Sequence, residues 1–220
     1  MERNTKIENE MLKNLIIDNN TVQIKLFMTI LNKAISKHYA QGEYIEEVEP
    51  ELNLSMDFVK KYKGESKLTT REIMNFIKDI NVKIRFYDEE IEENRVINVI
   101  REFQYNDYDF IIKFDEEAIK YVVLVANNYT LIDLEILKHL KGKYEIGLYV
   151  IQAMYKKLKH KKKIFELEEF KKFIGIKEKK ITQITDGIDK AINKLEKLGI
   201  NVDYELYKRG RKISDITFMF

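Results

Sequence analysis

The chain of 220 residues contains no cysteine. It can therefore build neither a disulfide framework nor a thiolate zinc site. One proline, Pro50, and eight glycines are too few for a collagen-like, linker-rich or many-turned β-sandwich chain. No uninterrupted apolar stretch approaches the roughly 20 residues of a membrane span. The start, Met1–Glu8, is charged, and no apolar signal core follows it. These absences point to a soluble, cytoplasmic protein that does not engage a membrane.

Signatures of catalysis are equally scarce. His38, His139 and His160 are isolated, so no pair is spaced to hold a metal. There is no Gly-x-Gly-x-x-Gly and no phosphate loop. A rolling-circle nickase would need a tyrosine beside a histidine-held metal, and the thirteen tyrosines have no such partner. The many glutamates fall mostly on polar helix faces. The residues thus predict no catalytic group, no metal ligand, no cofactor and no enzyme.

What the chain does have is charge. Asp, Glu, Lys and Arg make up 35% of it, against about a quarter in ordinary soluble proteins. The charge is unevenly spread. Residues 1–128 hold 18 basic and 24 acidic side chains, whereas residues 129–220 hold 21 and 13. A chain-wide codon bias would enrich lysine in both halves. The split instead predicts two domains, 1–126 and 129–220, meeting near Ala126–Asn128, with the basic half facing a polyanion.

Periodicity gives each half the same plan. Asn20 and Gln23 form a capping box before an amphipathic helix of about 16 residues, with Val22, Leu26, Phe27, Ile30, Leu31, Ala34 and Ile35 on one buried face. Ser55 caps a short helix, Met56–Tyr62, ended by Gly64. Thr69 opens another, with Ile73, Phe76, Ile77 and Ile80 inward. Strands follow at Val82–Tyr87, Val96–Tyr105 and Asp109–Phe114, and the acidic run Asp88–Glu93 reads as a wing tip. In the second half a helix, Glu145–Leu158, precedes a strand, Lys163–Leu167, and a helix, Glu168–Ile174, ended by Gly175. The stripe Ile181, Ile184, Ile188, Ala191, Ile192, Leu195 and Leu198 marks the clearest helix, closed by Gly199. Strands Asn201–Tyr207 and Lys212–Phe220 flank the turn Arg209-Gly210. An offset of 111 residues brings Ile73 onto Ile184 and Ile77 onto Ile188. Helix, strand, helix, helix, hairpin is the order of a winged helix. The fold class read from this is α+β: two tandem winged-helix domains, each a helix-turn-helix followed by a β-hairpin wing.

The polar face of the Ile181–Leu198 helix suits a nucleic acid. Amide and basic side chains can meet base edges, and hydroxyls and lysines can meet phosphates. Lys179, Thr182, Gln183 and Asp186 near its start are the candidate base readers, followed by Lys190 and Asn193. Lys177, Lys179 and Lys180 precede it, and Lys208, Arg209, Arg211 and Lys212 crowd the wing tip. Cations so close repel one another unless a phosphate backbone relieves them. Lys161-Lys162-Lys163 adds a third basic cluster. The first-half counterpart offers Lys67, Thr69, Thr70, Arg71, Asn75 and Lys78, but its acidic wing predicts only an auxiliary DNA contact there.

Three stretches resemble a known family. Leu137–Tyr149 is similar to the "LKSKYSIRLYELL" segment of plasmid replication initiators of the RepA/RepB/RepE type. Phe165–Ile176 is similar to that family's "LTVEELRELLGI". Asn193–Phe218, with Asn201-Val202-Asp203-Tyr204-Glu205 and Lys208-Arg209-Gly210-Arg211-Lys212, resembles its "LNE…DINVEYE…KKGRKVTGIRFRF" ending. Before residue 129 the likeness is confined to element order and Asn9–Leu12. The resemblance implies an initiator that binds directly repeated sites in double-stranded origin DNA (iterons), promotes origin opening and recruits the host initiator and helicase. It implies a homodimer in equilibrium with monomer, dimerisation through the first domain and the main DNA contacts through the second. One departure stands out: the family's Ser-Ile-Arg is here Glu145-Ile146-Gly147. Two other readings of the same residues are a tandem winged-helix repressor and a chromosome-condensation scaffold; the latter needs no basic wing.

Overall fold

The computed structural model describes residues 4–41, 51–55, 69–88, 93–106, 109–118, 129–157, 159–178, 180–210 and 212–220. The chain divides into two compact units, Met1–Lys138 and His139–Phe220. The expected boundary at 126–128 lies outside the described residues. The strand just after it, β7 (Tyr129–Asp133), pairs antiparallel with β1 (Asn4–Glu8), which ties it to the first unit.

In that unit, α1 (Asn9–Asp18) and α2 (Thr21–Gln41) follow β1. The capping box at Asn20 forms. The Asn20 side chain accepts from the Val22 and Gln23 amides, and the Asn20 amide donates to Gln23 Oε1. Gln23 Nε2 also reaches Phe76 O at 3.3 Å. Helix α2 is longer than expected and is not buried on one face alone. Thr29 and Asn32 are buried along with Ile24, Phe27 and Leu31. Thr29 meets the cost of burial by donating to Lys25 O.

The expected short helix at 56–62 lies outside the described residues. Strand β2 (Glu51–Ser55) precedes it, and α3 (Thr70–Lys78) comes after. The expected long strand Val96–Tyr105 is broken in two at the buried Val99. Its amide bonds back to Val82 O, and its carbonyl accepts from Asp115 N. One side of the break, β4 (Glu93–Asn98), pairs with β3 (Lys83–Asp88) as a two-stranded ribbon. The other, β5 (Ile100–Tyr105), pairs with β6 (Asp109–Phe114), which pairs in turn with β2.

Unit 2 shows what this means. There β8 (Lys162–Glu166) pairs with β10 (Lys212–Met219), which pairs with β9 (Asp203–Arg209). The strand that closes onto the first strand belongs to the wing. By the same pairing the wing of unit 1 is β5–β6. The ribbon β3–β4, with the acidic run between its strands, is an addition ahead of the wing, which corrects the expectation drawn from Asp88–Glu93.

The remaining elements of unit 2 are α5 (Lys143–Tyr155), α6 (Leu167–Ile174) and α7 (Ile181–Glu196); the short α4 (Leu134–His139) precedes them. Gly175, at φ 66°, ends α6 in the left-handed conformation that glycine adopts without strain. The core centres on Phe165, whose ring lies 5.8–6.2 Å from those of Phe170, Phe173 and Phe218. Ile184, Ile188, Ala191 and Leu195 press onto the same core from α7. The order α5, β8, α6, α7, β9–β10 is a winged helix.

Candidate nucleic-acid interface

Burying one stripe of α7 leaves Thr182, Gln183, Asp186, Asp189, Lys190 and Asn193 exposed. Positions three, four and seven apart share a ridge of a helix. Gln183, Gly187 and Lys190 form one ridge; Thr182, Asp186, Asp189 and Asn193 form the next. The two ridges have different neighbours.

The first ridge borders α5. A Cβ at Gly187 would lie 2.6 Å from Cζ of Tyr144, so the missing side chain is what lets the ring lie against α7. Burial first, and then the charge of Glu178, pushes the Tyr144 phenol up to about 12. Lys143 Nζ donates to Gly175 O at 3.3 Å and fastens the start of α5 to the end of α6. Lys143, Tyr144, Ile176, Lys177 and Glu178 line a shallow depression there.

The second ridge borders β9. Tyr204 donates to Asp189 Oδ1 at 2.9 Å. Its phenol is raised to about 12 by burial, by that hydrogen bond, and by the carboxylates of Asp189, Asp186 and Asp203. The carboxylates of Asp186, Asp189 and Asp203 thus make this flank acidic, while Lys177, Lys180 and Lys190 are exposed. Nothing in the helical pattern signalled Lys143, Tyr144 or Tyr204, because each acquires its role from a neighbour distant in sequence.

At the wing tip Lys208 and Lys212 are exposed, and Gly210 takes φ 65°. Arg209 Nε lies 3.8 Å from Asp215 Oδ2, yet its side chain remains 81% exposed, so the pair leaves the guanidinium open to a phosphate. A bulge at Ser214, whose hydroxyl donates to Tyr207 O, twists β10 behind the tip. Lys179 and Arg211 lie outside the described residues.

The cluster Lys161-Lys162-Lys163 does not join this surface. Lys162 pairs with Met219, and the Phe220 amide donates to Lys161 O, at the end of the sheet away from Lys212. Lys163 faces inward, its ammonium 5.0 and 5.5 Å from the ring centres of Phe165 and Tyr155. There it makes cation–π contacts instead of a phosphate contact.

On α3 in unit 1, Arg71, Asn75 and Lys78 are exposed opposite the buried Ile73, Met74 and Ile77. Thr69 is occupied: its hydroxyl accepts from the Glu72 amide and donates to the Glu72 carboxylate in a complete capping box. Lys67 lies outside the described residues. Among the described residues no group of three or more His, Asp or Glu could hold a metal, and no helix is long and apolar enough to cross a membrane.

Gly147 explains the departure from the family segment. It is buried in α5, and a Cβ there would collide with the Ile174 side chain. An arginine at 147 has no room in this packing.

Residues 5–152 match the family profile described as "Initiator Replication protein, WH1", and residues 166–220 match "Initiator Rep protein, WH2". No curated protein matches the chain significantly in sequence. Among solved structures, the Pi initiator protein in complex with iteron DNA superposes with a TM-score of 0.66 at 17% identity, covering 98% of this chain and 96% of that one. Domains 2 and 3 of RctB superpose with a TM-score of 0.53 at 9% identity, covering 90% and 81%. At such identities the likeness is one of fold.

Proposed function

This chain is a replication initiator, a member of the initiator Rep protein family, and from that premise we propose that its second winged helix reads directly repeated sites in double-stranded origin DNA. The observation that carries this reading is the exposed amide, hydroxyl and lysine face of α7 beside a cationic wing. The Pi initiator, similar along almost the whole chain, is itself seen with iteron DNA. Gln183, Thr182 and Asp186, with Lys179, contact base edges. Lys177, Lys180, Lys190, Lys208, Arg209, Arg211 and Lys212 neutralise phosphates.

Unit 1 adds an auxiliary backbone contact through Arg71, Asn75 and Lys78, and it carries dimerisation. Binding strains an adjacent AT-rich tract, and the bound protein recruits the host initiator and helicase. Residues 1–126 and 129–220 serve as the dimerisation and main DNA-binding regions, and no chemical step is catalysed.

Two measurements test this. Fluorescence anisotropy on duplexes with direct repeats of roughly 20 base pairs, about two helical turns, should show far tighter binding than scrambled duplexes. Binding confined to a single inverted repeat would favour a repressor instead. Sedimentation across concentration should show monomer passing to dimer, and a species that stays monomeric would remove the dimer from the scheme.

A further inference from the structure

We propose that the lysines between the end of α5 and the start of β8, Lys156, Lys157, Lys159, Lys161 and Lys162, are a second phosphate-binding pole of unit 2, which takes the backbone of a DNA segment other than the one seated on α7 and the wing. Six lysines and one histidine occupy the eight residues 156–163. This stretch falls between the two family matches, which end at residue 152 and resume at residue 166.

Some of this charge has a local reason. Lys156 and Lys157 follow the C-terminus of α5, whose carbonyl dipoles attract cations. Lys163 lies on the aromatic rings of Phe165 and Tyr155. Lys159, Lys161 and Lys162 have no such reason. All three are exposed, and none forms an ion pair with another described residue. Lys161 also sits at φ 47°, a backbone conformation that suits glycine or asparagine and strains lysine. A position that costs backbone strain and adds like-charge repulsion, yet holds lysine, is accounted for by an external anion.

The pole is remote from the primary face. The eight residues of β10 put about 25 Å between Lys162 and the wing tip. The thirteen residues of α5 put about 20 Å between these lysines and Tyr144, where α5 meets α7. Both lengths exceed the roughly 8 Å screening length at physiological salt, so the two basic surfaces act separately. A straight duplex lying on α7 and the wing does not reach these lysines. A second segment does, either the same molecule looping back or a separate one.

The experiment uses the full chain and the triple variant Lys159→Gln, Lys161→Gln, Lys162→Gln. Affinity for a short duplex carrying only the repeat should stay within twofold of wild type. Capture of a labelled random duplex by protein held on an immobilised repeat duplex should fall at least tenfold if the segment is separate. The affinity gained by lengthening the repeat duplex should disappear if the segment is in the same molecule. Lys161→Gly should melt no lower than wild type yet capture less DNA.

The proposal is overturned if the triple variant keeps both the capture and the length gain. Loss of short-duplex binding by that variant also overturns it, because these lysines would then belong to the primary face. So does stronger displacement by polyglutamate than by DNA, or unchanged capture by Lys161→Gly. If the wild type shows no preference for repeats, the reading of α7 fails, while random-duplex binding by the triple variant still decides the pole.

Discussion

Tyr204, on the first strand of the second wing, donates its phenolic hydrogen to Asp189 of α7 across 2.9 Å. The contact fastens wing to helix and gives the exposed Asp189 carboxylate a partner. Tyr204→Phe keeps the ring beside Phe218 and removes the bond. It should cost about 1 kcal/mol at pH 7, the usual net value of a hydrogen bond that is not fully buried, readable as a lower melting temperature.

The same residue predicts alkaline behaviour. Tyr204 and Tyr144 are both raised from 10.0 to about 12, so between those values the folded chain holds protons that the unfolded chain has released. Their contribution is complete below pH 10 and is lost as pH rises toward 12. Melting temperatures of the wild type should fall across that window, and those of Tyr204→Phe should fall less steeply.

Gly147 is held to its size by Ile174. Alanine gains up to about 1 kcal/mol of helix propensity but overpacks a buried contact at roughly 1–3 kcal/mol. Gly147→Ala should therefore be destabilising on balance, and Gly147→Arg should prevent unit 2 from folding. Urea denaturation followed by circular dichroism measures both; an arginine variant as stable as wild type would mean that α5 and α6 pack differently.

In unit 1, Asn19 is buried, donates to Asn81 O at 2.7 Å and accepts from Asn81 N at 2.9 Å. It clamps the start of α2 to the segment after α3. Asn19→Ala should destabilise the protein by about 1–3 kcal/mol through the backbone groups it strands. Repeat recognition by folded protein, measured at low temperature, should be retained.

Reading and holding DNA separate by substitution. Gln183→Ala should weaken binding to the repeat by about 1–3 kcal/mol and binding to random DNA hardly at all, because a glutamine pairs with adenine through both N6 and N7. Lys212→Ala should weaken both alike and make the slope of log K against log salt shallower by about one unit. Titrations of both variants on repeat and scrambled duplexes decide the matter. Equal losses on both duplexes for Gln183→Ala would mean that α7 is not the reading helix.

What the sequence determined by itself was whatever neighbours in the chain decide. The capping boxes at Asn20 and Thr69 join residues three apart. The buried stripe of α7 repeats every three or four residues, and Gly175 and Gly210 mark turns that need positive φ. These local signals were enough for the second winged helix, whose hairpin follows its helix directly. Tertiary structure alone decided what depends on a partner far along the chain. The wing of unit 1 is identified by β6 closing onto β2, more than fifty residues earlier, and no local pattern distinguishes that hairpin from β3–β4. The fates of individual side chains were settled in the same way. Lys163 lies on aromatic rings, Asp189 is held by Tyr204, and Gly147 is fixed by Ile174. Periodicity states which face a residue occupies; only the packed fold states what stands opposite it, because close packing and hydrogen-bond geometry are settled between elements and not along them.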